Sequence, residues 1–374
     1  MVLGNNMLFN MSKCFSFDVY YMENYMYYPI KLKPVYKDYI WGGRYFEKLN
    51  RELPDGTVAE SWELSCHKNG VSVIANGEHA GKTLPEVIKN DSVNILGKNF
   101  PVNCEEIPLL IKLIDANDKL SVQVHCEDNY AAVYEGGLGK NEMWYIMDVK
   151  PEAKLVAGLK LGVNKEEFDN AIRENRIEDC LQAIEVKPGD VINIPAGLVH
   201  AIGAGIVIAE IQQSSDTTYR VFDYNRVDKN GFSRQLHLEK AMDVIKFDAN
   251  YRNVKCEGVE VKISENCIKT FFLANKFFAC ERYAVDGSIS ENCDGSKFYV
   301  YICIEGQGYI ETENMTVNFR AGETIFMPAS LNQYKMIGVF KVLKTYVPDF
   351  IKDIVEPMRK AGCKDQEIFR VLNN

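Results

Sequence analysis

A mainly β chain in which one strand-and-turn unit occurs twice, with short helices between and after the strands, is the fold class that the sequence predicts. Three observations carry it. Stretches such as Ala59–Ser65 and Leu120–His125 alternate apolar and polar side chains with the period of two that a strand imposes. Helix signals are short and are separated by glycine or proline turns. Finally, Phe319–Gln333 lays over Val186–His200 without a gap, so that Ala321-Gly322-Glu323 falls on Pro188-Gly189-Asp190 and Pro328-Ala329 on Pro195-Ala196. Where the first copy has His200, the second has Gln333.

The chain has 374 residues, 47% hydrophobic and 25% charged, which suffices for a substantial core and two domains. No window reaches the apolar length of a membrane-spanning helix. A net charge of −9 argues against a broad nucleic-acid or acidic-membrane surface, and neither partner is expected. The eleven cysteines include no C-x-x-C pair, so reduced thiols in a cytoplasmic protein are the simplest reading. A monomer or homodimer is expected.

Residues 1–25 show no period, and Lys13, Asp18 and Glu23 interrupt the apolar run that a signal peptide needs, which predicts a poorly ordered leader ahead of Met26. Short strands and a glycine turn follow over Pro29–Pro34 and Tyr36–Gly43. Ala59–Ser65 reads as a half-buried strand and Val71–Ile74 as another. Thr83 with Glu86, and Pro85 between them, predicts a capped helix toward Asn90. Pro108–Ile114 is an apolar run carrying one lysine, Lys112, and Lys140–Tyr145 opens a further strand. Asn164 and Glu167 start a helix whose spacing continues to about Ile184. Val191–Ile194 and Ile206–Gln213 are strands, and 239–247 a short helix. Residues 26–250 thus form a first domain, 251–347 a second one rich in strands, and 348–374 a tail of two small helices parted at Gly362, a left-handed cap.

Within Leu120–His125 the alternation puts Ser121, Gln123 and His125 on one face and Cys126 on the other. Gln123, His125, Glu142 and His200 together would make a mixed nitrogen and oxygen set with room for water, the composition of a catalytic zinc-type site rather than a closed structural one. Taken singly, three of the four have a plainer reading: His125 a core histidine, Gln123 a buried amide, Glu142 a solvated strand end. His67, His79 and His237 are expected at the surface. Trp41, Trp62 and Trp144 either line a pocket, for which Trp41 is the substrate-side choice, or belong to the core. Lys112, inside an apolar run, needs an anionic partner or a cavity. Arg220 either holds a phosphate or a developing oxyanion, or pairs internally with Asp216 or Asp223.

These residues carry a resemblance. Ile40-Trp41-Gly42-Gly43, Glu60-Ser61-Trp62-Glu63, Leu120-Ser121-Val122-Gln123-Val124-His125, Gly139-Lys140-Asn141-Glu142, Pro195-Ala196-Gly197-Leu198-Val199-His200 and Tyr219-Arg220-Val221-Phe222-Asp223-Tyr224, in that order, resemble a type I mannose-6-phosphate isomerase in its short bacterial form, over nearly everything from Met26 to Val347. The resemblance implies two cupin (jelly-roll) barrels, the first with a helical insertion and a metal, the second without ligands. It implies one zinc ion on Gln123, His125, Glu142 and His200, with Arg220 as an active-site arginine, Lys140 and Glu210 near the reacting carbons, and Lys112 and Ser121 near the phosphate. Two positions depart from the family. Cys126 stands where a proline is common after the first histidine, which bears on loop shape, and Ile202 stands where larger members have a tyrosine.

The reaction so implied interconverts mannose 6-phosphate and fructose 6-phosphate, moving a proton between C2 and C1 through a cis-enediol. Zinc as Lewis acid, with Arg220, would stabilise the enediolate oxygen. Glu210, Lys140 and a water on the metal all remain open as the base. Rivals are an isomerase of another phosphorylated sugar and a non-catalytic cupin that binds one. The second barrel is expected to close one side of the cleft or to mediate self-association.

Overall fold

The computed structural model describes residues 27–228, 230–248 and 254–372; the leader expected over 1–25 lies outside them. In chain order the strands are β1 (Ile30–Lys33), β2 (Val35–Lys37), β3 (Glu60–Leu64), β4 (Val73–Ile74), β5 (Leu109–Ala116), β6 (Val122–Val124), β7 (Glu142–Val149), β8 (Lys154–Leu159), β9 (Leu181–Glu185), β10 (Val191–Ile194), β11 (His200–Ala201), β12 (Ile206–Gln213) and β13 (Tyr219–Phe222). The second half adds β14 (Val259–Ser264), β15 (Cys267–Ala274), β16 (Ala279–Cys293), β17 (Tyr299–Glu311), β18 (Thr316–Arg320), β19 (Thr324–Met327) and β20 (Asn332–Tyr346). Helices are α1 (Leu84–Asn90), α2 (Ser92–Leu96), α3 (Asp128–Tyr134), α4 (Lys165–Arg173), α5 (Leu238–Val244), α6 (Glu356–Lys360) and α7 (Asp365–Leu372).

The first barrel is made of a six-stranded sheet, β10-β7-β12-β5-β3-β2, and a five-stranded one, β13-β6-β11-β8-β9. Apolar side chains of both meet in one cluster, where Ile114, Trp144, Ile192 and Ile208 of the larger sheet pack with Leu155 and Ala157 of the smaller. The second barrel uses a nine-stranded sheet that also takes in β1 and β4: Ile30 of β1 lies opposite Phe326 of β19, and Leu32 opposite Ile74. The N-terminal strand therefore ties the two halves together. A shared core follows, with Ile30, Leu64 and Ile111 in one cluster with Phe298, Phe326 and Leu343.

The internal duplication is visible in the backbone. Gly189 and Gly322 turn the chain at φ +93° and +87°, a region that favours glycine. One residue later, the carboxylates of Asp190 and Glu323 accept the backbone N–H of Lys187 and Arg320, each at 3.1 Å. β10 and β19 then start at matching positions.

The capping box at α1 forms as expected: the Thr83 hydroxyl accepts from Glu86 N–H, and the Glu86 carboxylate from Thr83 N–H at 2.7 Å. Gly362 sits at φ +85° between the tail helices, which pack on the second barrel through Ile354, Met358, Ile368 and Val371. Three expectations are corrected. The helix opened by Asn164 stops at Arg173; Asn175 turns left-handed, Ile177–Cys180 is a single turn, and Leu181 begins β9. Tertiary packing wins over spacing there, since Ile177 and Leu181 reach the same cluster as Phe168 without helical continuity. β3 is buried throughout rather than half-buried, because Arg51 covers its polar face, bonding Ser61 and Glu63 at 2.8 and 2.7 Å. His79 is buried rather than at the surface. The ten described cysteines are free thiols, and no helix among the described residues is long and apolar enough to cross a membrane.

Candidate metal centre and substrate cavity

Two rows of cross-strand neighbours build the site, one on each sheet of the first barrel. On the six-stranded sheet, Trp62 pairs with Lys112, Lys112 with Glu210, and Glu210 with Trp144, so these four side chains lie abreast. On the five-stranded sheet, Arg220 pairs with Gln123 and Gln123 with His200. One strand position past β6, His125 shares the face of Gln123, while Val122, Val124 and Cys126 join the core behind them.

The ligand atoms of His125, Glu142 and His200 all lie within 4.8 Å of one another. His125 Nε2 is 3.4 Å from one Glu142 oxygen and His200 Nε2 3.5 Å from the other. Both imidazoles are oriented by backbone carbonyls, His125 Nδ1 on Thr217 O at 3.0 Å and His200 Nδ1 on Leu198 O at 2.9 Å, which leaves each Nε2 lone pair aimed at the centre. The Gln123 amide closes the group, with its nitrogen 3.3 Å from His200 Nε2; rotating the amide exchanges that nitrogen for its oxygen. Both Glu142 oxygens are buried and make no hydrogen bond. Such a carboxylate is costly unless a cation meets it. The Lys140 ammonium does so in part, 2.7 Å from Glu142 Oε2 and 3.1 Å from His125 Nε2. A cation is therefore already accommodated beside two of the three groups, and the residues present fit a metal with nitrogen and oxygen ligands.

Electrostatics agree with this. Burial raises the Glu142 pKa, but Lys140, His125 and His200 outweigh it and hold the carboxyl well below its ordinary value. Burial, then Lys140, pushes His125 down to about 3, and burial lowers His200 as well. The carboxylate is ionised and both imidazoles neutral at pH 7, the forms in which these groups bind metal.

Beside this centre opens a cavity of about 540 Å³ lined by Trp41, Trp62, Lys112, Ser121, Gln123, Lys140, Glu210, Arg220 and others. His125, Glu142 and His200 do not line it; they touch Gln123 and Lys140, which do. Trp41 is thus both buried and part of the wall. Lys112 sits between Glu60 and Glu210 at 3.5 and 3.4 Å, with its ammonium 5.1 Å from the centre of the Trp62 ring. Each of those carboxylates is held by an indole: Trp62 Nε1 donates to Glu60 at 2.7 Å and Trp144 Nε1 to Glu210 at 3.0 Å. Burial opposes the Lys112 charge, but Glu60 and Glu210 more than restore it and raise its pKa. Glu210 is raised by burial and by Glu142. Arg220 donates to Ser121 Oγ at 3.2 Å and to the Gln235 carbonyl at 2.8 Å. It forms an ion pair with neither Asp216 nor Asp223, the internal partners named as alternatives above.

All ten residues singled out in the sequence are brought to this region. Overlooked were Glu60, Arg234 and the two orienting carbonyls; Asp223, considered above as a partner of Arg220, is held by Arg226 and Arg234 instead. Glu60 stood in a quoted motif without a role, whereas a backbone carbonyl leaves no residue-type signal. No residue of the second barrel lines the cavity among the described residues, so that barrel does not wall it.

Comparison with known proteins gives the same picture. Residues 30–156 match the family model for the phosphomannose isomerase type I catalytic domain, and 268–347 that for the mannose-6-phosphate isomerase cupin domain. The chain is 34% identical over 320 residues to mannose-6-phosphate isomerase ManA of Bacillus subtilis, covering 85% of this chain and 99% of that protein. A mannose-6-phosphate isomerase of Streptococcus mutans is 33% identical over 323 residues, 85% of this chain and 98% of that one. The crystal structure of a Bacillus subtilis mannose 6-phosphate isomerase superposes with a TM-score of 0.78 at 32% identity, over 85% of this chain and 99% of that one. With these matches and two cupin-type barrels, the chain belongs to the type I phosphomannose isomerases.

Proposed function

We propose that this chain interconverts mannose 6-phosphate and fructose 6-phosphate with the help of one zinc ion held by Gln123, His125, Glu142 and His200. The observation that carries this reading is the convergence of His125, Glu142 and His200, with both Glu142 oxygens buried without a hydrogen bond and, among the described residues, only Oε2 met by an ammonium, beside a cavity that bears Lys140, Glu210 and Arg220. When bound, zinc supplies Lewis acidity toward the sugar oxygens at C1 and C2.

The chain's own residues do the rest. A C2 proton must leave and return at C1, while the hydroxyl proton passes from O2 to O1, which gives a cis-enediol between aldose and ketose. Glu210 suits the base: burial and Glu142 raise its pKa against the opposing pull of Lys140 and Lys112, and its Oε1, buried without a hydrogen bond and 3.4 Å from the Lys112 ammonium, can take up a proton and give it back. Lys140, beside Glu142 and at the cavity wall, is placed to hold the oxygen at which negative charge develops. Arg220 adds a fixed positive charge at the wall, oriented by Ser121 and Gln235. Ser121 and Lys112 face the same space, Ser121 with its hydroxyl proton free for a phosphate oxygen.

Fructose 6-phosphate formation from mannose 6-phosphate tests the reading, measured before and after chelation and after zinc is returned, alongside His200→Ala. Activity that is lost with the metal, restored by zinc and absent in the variant is expected. No turnover by a fully metallated protein would overturn the assigned substrate.

A further inference from the structure

The positive charge around the cavity is unevenly compensated. Lys112 lies between two carboxylates, Glu60 and Glu210, and Lys140 is committed to Glu142, so a phosphate brought to either ammonium meets negative charge already in place. The arginine corner differs. Asp223 is buried and accepts from three donors on two guanidiniums: Arg226 Nη2 at 2.7 Å, Arg234 Nε at 2.8 Å, and Arg234 Nη2. Arg226 donates from Nε to the Asp223 carbonyl and from Nη1 to Asp118 and the Lys119 carbonyl, and does not line the cavity. Arg220 and Arg234 do line it. Among the described residues Arg220 has no carboxylate partner, and Arg234 Nη1 makes no hydrogen bond. Three guanidiniums therefore share two carboxylates as direct partners; Asp216, which also lines the cavity, is engaged by Asn69 and lies 3.3 Å from His67 instead of pairing with an arginine. Burial, and then the nearness of Arg234, lowers the Arg220 pKa, against the smaller opposing pull of Asp223.

We propose that Arg234, with Arg220 and the Ser121 hydroxyl, forms the subsite that takes the phosphate dianion, and that Asp223 is a positioning residue aiming the Arg234 guanidinium. This rests on the sugar-phosphate reading above and deepens it. A guanidinium whose Nε and Nη2 are engaged by Asp223 keeps its Nη1 edge fixed for a phosphate oxygen, a planar geometry that lysine does not offer. Lys112, held between its glutamates, is left to the sugar hydroxyls.

The test titrates inorganic phosphate into the full-length protein by calorimetry and in parallel measures its competitive inhibition constant and the KM for mannose 6-phosphate. Wild type, Arg234→Gln, Arg234→Lys and Lys112→Gln are compared. Phosphate affinity is expected to fall about 10- to 100-fold in Arg234→Gln and less in Arg234→Lys, with the loss in turnover carried by KM rather than kcat. Lys112→Gln is expected to keep its phosphate affinity within about threefold. Should Arg234→Gln fail to fold, Arg234→Lys, which retains a charge for Asp223, supplies the same comparison. Unchanged phosphate affinity in the Arg234 variants, or its loss in Lys112→Gln alone, overturns the subsite. A wild type that binds phosphate through Arg234 but does not isomerise mannose 6-phosphate leaves the subsite standing and removes the proposed activity instead.

Discussion

Glu142 and Asp223 are both buried carboxylates, and they solve the cost of burial in opposite ways. Asp223 is saturated by two guanidiniums, whereas Glu142 keeps two oxygens without hydrogen bonds next to two neutral imidazoles, with Lys140 as its one cation among the described residues. Glu142→Gln, which keeps the shape and removes the charge, is expected to weaken binding of the proposed zinc more than about 100-fold; metal analysis after dialysis, with one zinc per wild-type chain as the expected reference, checks this. Asp223→Asn leaves Arg234 without its anion and Arg226 with only Asp118 among the described residues, and is expected to cost about 3 kcal/mol in denaturant unfolding at pH 7. The sign of its pH dependence follows from the shift. Burial raises the Asp223 pKa, but Arg234 and Arg226 outweigh that and hold it below its ordinary 3.8. Its folded-state value being the lower one, its contribution is complete above 3.8 and is lost as pH falls through the folded value, so the gap between wild type and Asp223→Asn should stay level from pH 7 to about 5 and narrow below about 4.

Among the elements, the two copies of the glycine turn offer a comparison inside one molecule. A Cβ on Gly189 would meet nothing closer than the Tyr145 hydroxyl at 3.9 Å, so Gly189→Ala carries only the strain of φ +93°, roughly 1–2 kcal/mol. On Gly322 the same Cβ would lie 2.9 Å from Leu49 Cβ in addition, and Gly322→Ala is expected to be the more destabilising of the two in denaturant unfolding. Thr83→Ala removes the α1 capping box and should cost about 1 kcal/mol without altering turnover, since Thr83 does not line the cavity. These elements were legible because their signals are local: a cap is read within four residues, and a left-handed turn from its glycine. The helical run toward Ile184 misled for the complementary reason. Its apolar spacing is real, but β9 pairs with β8, and a pairing partner is invisible to a spacing rule.

The molecule as a whole should behave as one cooperative unit. β1 bonds to β19 of the second barrel, and one core cluster joins residues of both halves. Thermal unfolding is accordingly expected to show a single transition, and a chain ending at residue 248 to lack cooperative unfolding, because β1 would expose Ile30 and an unpaired edge. Two transitions, matched by an independently folded first half, would contradict this. The sequence by itself determined the strand faces, the duplicated turn, the capped helices and the residue types of the metal group, because each depends on periodicity or on contacts a few residues long. Only the tertiary structure decided what those faces meet: that Arg51 covers Ser61 and Glu63, that Lys112 lies between Glu60 and Glu210, and that Arg234 rather than Arg226 reaches the cavity. The physical reason is that periodicity reports which way a side chain points from its own strand. The charge it then finds is set by register between strands far apart in sequence, which the packing of the whole core selects.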